Sequence, residues 1–246
     1  MDATLLQQLW DDQQTAFMPD REERFRAILD VVELVAAGPP RVLDLAAGTG
    51  SITRRLLARR PDATAVVLDV DPSLLAIAAA TFDADPRVQV VRADLATPEW
   101  SAAVPVPPAG FDAVVTATAL HWLPGERVRA LYREVRELLA PGGALVNADH
   151  LPDDGLPGLS RRADAREREA GAGDPMAGWR GWWQRLRDDP ELAPLVAERD
   201  RRFGGDHAEG EELTAGWHLA ALGEAGFAEA GIVWRGLTDA AVVGVR

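Results

Sequence analysis

Arg41-Val-Leu-Asp-Leu-Ala-Ala-Gly-Thr-Gly50, answered by Val66-Val-Leu-Asp-Val-Asp-Pro72, decides the fold. An apolar run ends in a glycine-rich turn, a helical stretch follows over Ser51 to Arg60, and a second apolar run ends in Asp69, twenty-one positions after Gly48. This is one βαβ unit. Glycine at 48 and 50 lets the backbone turn sharply and approach a ligand closely. Asp69 reaches the same crevice at the carboxyl end of the second strand, where a carboxylate can accept both hydroxyls of a ribose. A nicotinamide dinucleotide would use a similar frame, so finer features have to discriminate.

Three features favour S-adenosylmethionine. The dinucleotide fingerprint G-x-G-x-x-G places its third glycine for close helix-to-sheet packing, and here Gly48-Thr49-Gly50-Ser51-Ile52-Thr53 has threonine in that place. Asp44 sits inside the first apolar strand, where an acidic side chain is costly unless it bonds nearby backbone or a ligand amine; a cofactor with an amino-acid tail supplies that amine. The third apolar strand, Arg87-Val-Gln-Val-Val-Arg-Ala-Asp-Leu95, ends in Asp94, which is placed to take an adenine amino group at the far side of the crevice.

With these residues the chain resembles the class I S-adenosylmethionine-dependent methyltransferase superfamily. The glycine motif, the ribose acid, the adenine-side acid and a Pro141-Gly142-Gly143 at the fifth strand occur in order and at ordinary spacing. Ala119-Leu-His-Trp-Leu-Pro124 looks like the segment after the fourth strand in trans-aconitate methyltransferase-like proteins, and Glu23-Arg24-Phe25-Arg26 is similar to their Glu-Arg-x-Arg stretch. The likeness covers roughly 20–150 and 211–246, and departs at Ala46-Ala47, where many members carry Gly-Cys or Gly-Ser; small residues still fit that turn. It implies that S-adenosylmethionine is held by Arg24, Asp44, Ala46, Gly48, Gly50, Asp69, Val70, Asp94, Leu95 and Thr116, with S-adenosylhomocysteine as the product. Arg24 would grip the carboxylate of the methionine tail; alternatively it pairs with Asp20 or Glu23 on the helix surface.

The composition suits one enzyme domain. A chain of 246 residues, 47% hydrophobic, can bury a full core, and α/β folds of this size are commonly single domains. No apolar stretch has the length of a membrane span, and Met1-Asp-Ala-Thr lacks a basic region and signal core, so a cytoplasmic location is expected. Without cysteine there is no disulfide, thiolate nucleophile or thiolate metal site. A formal charge of −13 repels nucleic-acid phosphate and anionic lipid, so such a substrate would need a local basic face; the inserted segment after the fifth strand favours a small-molecule substrate, with no nucleic acid and no membrane as partner. All the positive charge is arginine, a pattern of GC-rich coding. Arg54, Arg55, Arg59 and Arg60 cluster on the helix after the glycine turn, where a solvated face is the simplest reading. The oligomeric state is not legible.

Four regions follow along the chain. Residues 1–40 read as an N-terminal helical cap, helices running from Thr4 to Phe17 and Asp20 to Ala37 before Gly38-Pro39-Pro40. Residues 41–150 form the cofactor-binding core, with strands near 41–46, 64–69, 87–92, 111–117 and 143–148. Between them Pro72 opens a helix and Gly125 to Ala140 places Val128, Leu131, Val135, Leu138 and Leu139 on one face. Residues 151–210 form a helical lid insertion with a helix near Met176 to Arg187. Residues 211–246 give a last helix to Gly223 and a hairpin of Ala228 to Gly236 with Ala240 to Val245. The expected architecture is a Rossmann-like, doubly wound seven-stranded sheet, mostly parallel with an antiparallel C-terminal strand.

Ligands in open α/β sheets bind outside the carboxyl ends of the strands, so the chemistry must come from loops at that edge. His121 after the fourth strand and His150 after the fifth are candidate catalytic bases, histidine having the right pKa range. Each has a plainer reading: His121 packs beside Trp122 or caps a helix, and His150 anchors the lid. Asp149, His150, Asp153 and Asp154 lack a fourth-strand carboxylate to complete a metal site, so no metal is expected. Trp122, Trp179, Trp182 and Trp183 are candidate substrate-pocket residues, the last three being equally a lid core. His207 and His218 read as structural or exposed. The function expected is methyl transfer to a small-molecule acceptor. The alternatives are a non-methylating enzyme that keeps the cofactor, a cofactor sensor without turnover, a methyltransferase for protein or RNA and, last, a nicotinamide enzyme.

Overall fold

Arg41–Leu45 (β1) is sealed on both faces, as a strand central to a parallel sheet must be, and β2 (Thr64–Asp69) pairs with it in parallel register, Asp44 opposite Val67. The computed structural model describes residues 1–18, 20–170, 175–204 and 212–246; His207 lies outside them. The sheet adds β3 (Val88–Arg92), β4 (Phe111–Ala117), β5 (Leu139–His150), β6 (Glu229–Arg235) and β7 (Asp239–Val245), in the spatial order β3-β2-β1-β4-β5-β7-β6. β7 runs antiparallel between β5 and β6, and all other pairings are parallel.

Helices cover both faces. α2 (Arg21–Val35), α3 (Ser51–Arg59) and α4 (Pro72–Thr81) pack Ile28, Val32, Leu56 and Ala78 against Val42, Val67 and Val115. α5 (Gly125–Leu138) and α9 (Ala215–Glu224) cover Leu43, Leu68, Val114 and Leu145 on the other face. The 3.6-residue stripe expected on α5 is the one buried: Val128, Leu131, Tyr132 and Val135 have no exposed surface. Truncating such a leucine to alanine costs about 2–5 kcal/mol.

Local sequence explains the turns that aim the site. Asp71 caps α4, its Oδ1 accepting from the amides of Ser73 at 2.8 Å and Leu74 at 3.3 Å, with Pro72 at the first helical position. Gly143 passes against β4 so closely that a Cβ there would lie 2.9 Å from the carbonyl oxygens of Phe111 and Asp112. β5 begins at Leu139, ahead of the expected strand, through an early bridge to Phe111 and a register shift before Ala144.

The cap is more helical than the sequence suggested. α1 (Ala3–Phe17) lies across α4, and the insertion forms α6 (Pro157–Ala170), α7 (Pro175–Asp188) and α8 (Ala193–Phe203), of which only α7 was expected. Trp182 and Trp183 of α7 are buried with Leu6, Ile77, Leu186, Leu192 and Val196 in a small core of their own. The last helix starts at Ala215, four residues later than expected, because Thr214 caps it, its Oγ1 accepting from the amide of Trp217.

Candidate active site

The glycine turn and the second-strand acid are joined directly. Asp69 Oδ2 accepts from the amide of Gly48 at 2.7 Å, and Oδ1 accepts from Val70 at 2.7 Å and Asp71 at 2.8 Å. Burial pushes the Asp69 carboxyl up, and these three amides hold it partly down. Gly48 and Gly50 have φ of +56° and +81°, the left-handed region. Ala46 also sits there, at φ +51°, so the departure from the family's glycine places a strained alanine at that point. A Cβ on Gly50 would meet the Phe82 ring at 2.5 Å, whereas one on Gly48 would only touch Leu74 and Trp10 at 3.7 and 3.8 Å.

Asp44 is wholly buried on the same face of the sheet. Its Oδ2 accepts from the hydroxyl of Thr53 at 2.8 Å and its amide at 3.1 Å, while Oδ1 has no partner. Burial is the main cause that pushes its pKa up to about 7; Thr53 pulls the other way and the charge of Asp69 adds to the rise. Thr53, which broke the dinucleotide fingerprint, thus serves the acid of β1.

Further polar atoms around the turn are sealed from solvent without partners: Thr49 Oγ1, Gln7 Oε1 on α1, and Thr116 Oγ1 on β4. Each buried unmade hydrogen bond costs about 1–3 kcal/mol. A ligand rich in hydroxyl, amine and carboxylate groups offers what these atoms lack, so the donor and acceptor set fits the ribose and amino-acid parts of an adenosyl cofactor.

The two expected histidines meet at the ends of β4 and β5, their ring centroids 5.6 Å apart. His121 Nδ1 lies 2.7 Å from Asp149 Oδ1, and its own amide donates to Oδ2 at 3.2 Å. Burial opposes the charge of Asp149, yet the contact with His121 outweighs it and holds the carboxyl below its usual range. His150, half-exposed, has Nδ1 2.5 Å from Asp239 Oδ1, an ion-pair contact outside hydrogen-bond angles. Asp239 raises the His150 pKa against the opposing effect of burial. Thr118, just before the histidine loop, is held at φ +50°, a strained position that aims the segment.

Asp239 went unseen in the sequence. It faces His150 because β7 pairs antiparallel with β5 in a register that sets Asp239 opposite His150, and its location at the foot of the closing hairpin was the available signal. Its Oδ2 also takes the Arg24 guanidinium at 2.8 Å and the Thr238 hydroxyl at 2.9 Å. Arg24 is buried, pairs with Asp20 at 2.9 Å, and lies 5.2 Å from the Trp234 ring. It therefore has the acidic partner foreseen as the alternative to a ligand, together with one not foreseen.

The adenine-side acid is also engaged. Asp94 accepts from the amide of Ala96 at 3.0 Å and pairs with Arg202 of α8. Arg199 of the same helix contacts Asp71 at 2.8 Å and stacks 4.0 Å from Trp183, so the lid is latched to β2 and β3. Leu95 is buried under α5 with its carbonyl accepting from Arg127. Of the four candidate pocket tryptophans, Trp122 stands exposed beside His121 at 4.7 Å, Trp182 and Trp183 are lid core, and Trp179 is half-buried against Trp10.

Other acids are committed elsewhere. Asp153 pairs with Arg235, and Asp154 with Thr214 and the amide of Gly216. Among the described residues no three histidine or acidic side chains converge as a metal site would require. His218 is buried with Nδ1 2.6 Å from the Tyr132 hydroxyl, and burial lowers its pKa to about 4, a core histidine. Arg54, Arg55 and Arg59 are tied to Asp11, Glu22, Asp30 and Glu33 on the cap helices, so the expected solvated face is a fastening. No described helix is long and apolar enough to cross a membrane.

A seven-stranded sheet of this order, with an acid and glycine turn at its carboxyl edge, is the Rossmann-like fold seen in methyltransferase structures. Residues 42–143 match the family model described as a methyltransferase domain. The chain is 35% identical over 145 residues to a trans-aconitate 2-methyltransferase of Methylobacterium nodulans, a match covering 58% of this chain and 50% of that protein. The chain thus spans about half the length of the curated relatives it matches. Among solved structures it is similar to an O-methyltransferase family protein from Burkholderia thailandensis, with a TM-score of 0.57 and 20% identity over 90% of this chain and 55% of that one. It is also similar to human N-acetylserotonin methyltransferase in complex with SAM, with a TM-score of 0.58 and 18% identity over 98% and 55%. At these identities the structures establish the fold.

Proposed function

We propose that the protein transfers a methyl group from S-adenosylmethionine to a small-molecule acceptor, with His121 as the general base. The carrying observation is the pair of imidazoles, each backed by a carboxylate, at the strand ends beside the joined glycine turn and Asp69. When bound, the cofactor supplies an electrophilic methyl group. Asp69, Asp44 and the amides of the turn would hold it, Asp69 serving the ribose and the unpartnered Asp44 Oδ1 the amine of the tail.

His121 has Nδ1 committed to Asp149, so its Nε2 is the nitrogen available to take the acceptor's proton, and the depressed Asp149 pKa keeps a negative charge behind the imidazolium that forms. His150, favoured in its protonated form by Asp239, donates to the acceptor and steadies its developing anion. The acceptor would form its bond to the methyl group as the sulfur–methyl bond breaks, His121 would hold the acceptor's proton, and S-adenosylhomocysteine would leave as the neutral product.

Calorimetric titration with S-adenosylmethionine, S-adenosylhomocysteine and NADH tests the cofactor. Micromolar binding of the adenosyl ligands, lost in Asp69→Ala, supports the reading; tighter binding of NADH overturns it. His121→Gln should retain affinity and lose rate about 10²- to 10⁴-fold once an acceptor is in hand.

A further inference from the structure

We propose that Gln13, together with Trp10 and Trp179, recognises the methyl acceptor, and that the acceptor is a flat, uncharged ring carrying a carboxamide. The assignment rests on the methyl-transfer reading above.

Gln13 lies on the stripe of α1 that faces α7. Trp10 precedes it by one turn and Phe17 follows by one, and Trp179 spans both, with ring centroids 6.1 Å from Trp10 and 6.4 Å from Phe17. A Cβ on Gly178 would lie 3.6 Å from the Gln13 Cβ, so α7 passes directly over this side chain. Inside this aromatic enclosure the Gln13 nitrogen and oxygen are both sealed from solvent and both without a partner. At Asp44 and Gln7 the orphaned atom belongs to a group whose other atom is bonded. Gln13 alone among the glutamines of α1 leaves a whole amide unsatisfied.

The location suits an acceptor. At the middle of α1, Trp10 approaches within 3.8 Å of where a Gly48 Cβ would stand; at its C-terminal end, Met18 touches Arg24, which shares Asp239 with His150. Along α1, Gln13 falls between Trp10, beside the cofactor turn, and Met18, beside the arginine that shares an acid with His150. Trp10 and Trp179 are only half-buried, unlike Trp182 and Trp183, so theirs is the ring pair that reaches solvent. Seating a flat ring between them needs a separation of about 7 Å, twice the ~3.5 Å contact distance between carbon atoms, against 6.1 Å now.

The chemistry of the ligand follows from the amide. A primary amide offers a donor and an acceptor on one edge, and a carboxamide or lactam satisfies both at once. A carboxylate would meet the donor and set its second oxygen against the Gln13 oxygen. Nor are the nearby cations available to a polyanion: Arg24, Arg199, Arg202 and Arg235 each hold a carboxylate of the protein.

The test is calorimetric titration of 2-hydroxybenzamide, 2-hydroxybenzoate and trans-aconitate into the wild type and Gln13→Met, a side chain of equal length without the amide. The benzamide is expected to bind the wild type at least tenfold more tightly than either acid. Gln13→Met is expected to lose at least tenfold of that affinity while S-adenosylmethionine affinity stays within twofold and the melting temperature is unchanged or higher, because an unpaired amide has been removed. Unchanged benzamide binding in Gln13→Met, preference for either acid, binding of none of the three, or a fall in melting temperature would each overturn the proposal. Amide binding that depends on Gln13 in a protein that binds no adenosyl ligand would overturn methyl transfer and leave this site standing.

Discussion

The two glycines of the motif carry different obligations. Both have positive φ, so alanine at either costs about 1–2 kcal/mol of backbone strain. At Gly50 the methyl group must also displace Phe82, adding about 1–3 kcal/mol of overpacking. Gly50→Ala is therefore expected to lower the denaturant midpoint more than Gly48→Ala, with urea melts of the two variants as the check. Asp44 supplies a second expectation. A folded pKa of about 7 against 3.8 for the free side chain means that stability declines as pH rises from 3.8 to about 7 and then levels. An ammonium group brought to its unpartnered oxygen would restore the charged form. Cofactor binding near pH 6.5 is thus expected to release a proton, read as a dependence of the calorimetric enthalpy on the buffer's ionisation enthalpy and absent in Asp44→Asn.

At the scale of elements, α1 is pinned by Asp11, whose buried carboxylate serves Arg21 at 2.7 Å, the Ser51 hydroxyl at 2.9 Å and Arg54. Asp11→Ala leaves Arg21 buried without its counter-ion and is expected to cost about 3–5 kcal/mol, measured by chemical denaturation. The strand pair β5 and β7 has its own pH signature. His150 has a raised pKa, so its contribution is complete below 6.5 and lost as pH climbs through the folded value; Asp239 has a lowered one, so its contribution is present above 3.8 and lost in acid. The melting temperature of the wild type should fall between pH 6.5 and 9 by more than that of His150→Gln.

These elements also mark how far the sequence could be read. The βαβ unit, the acids at three strand ends and the closing hairpin were legible because each rests on local pattern: an apolar run, a turn glycine, a helix-capping acid. Asp239, Asp11 and Trp10 were not, because their roles arise from which distant elements dock. α6 and α8 escaped for a related reason. Their arginine- and acid-rich stretches have little apolar periodicity, and α8 is held by Arg199 and Arg202 reaching acids of the core.

For the whole molecule, those two arginines tie α8 to the core. On the proposed reading of Asp94 as the adenine-side acid, Arg202 competes with the cofactor for it, and apparent affinity would fall by the fraction of molecules still latched. Arg202→Gln is expected to tighten S-adenosylmethionine binding a few-fold and to weaken the dependence of affinity on salt, both measurable by calorimetry at two ionic strengths.

The sheet order has a consequence for synthesis. β5 keeps one open edge until β7 arrives, and β7 begins eighty-nine residues after β5 ends. While the ribosome makes the intervening insertion, the nascent chain exposes the backbone of a long apolar strand, a template for pairing with a neighbouring polypeptide. Its yield in cells should therefore depend on a chaperone that shields nascent chains until the last hairpin emerges.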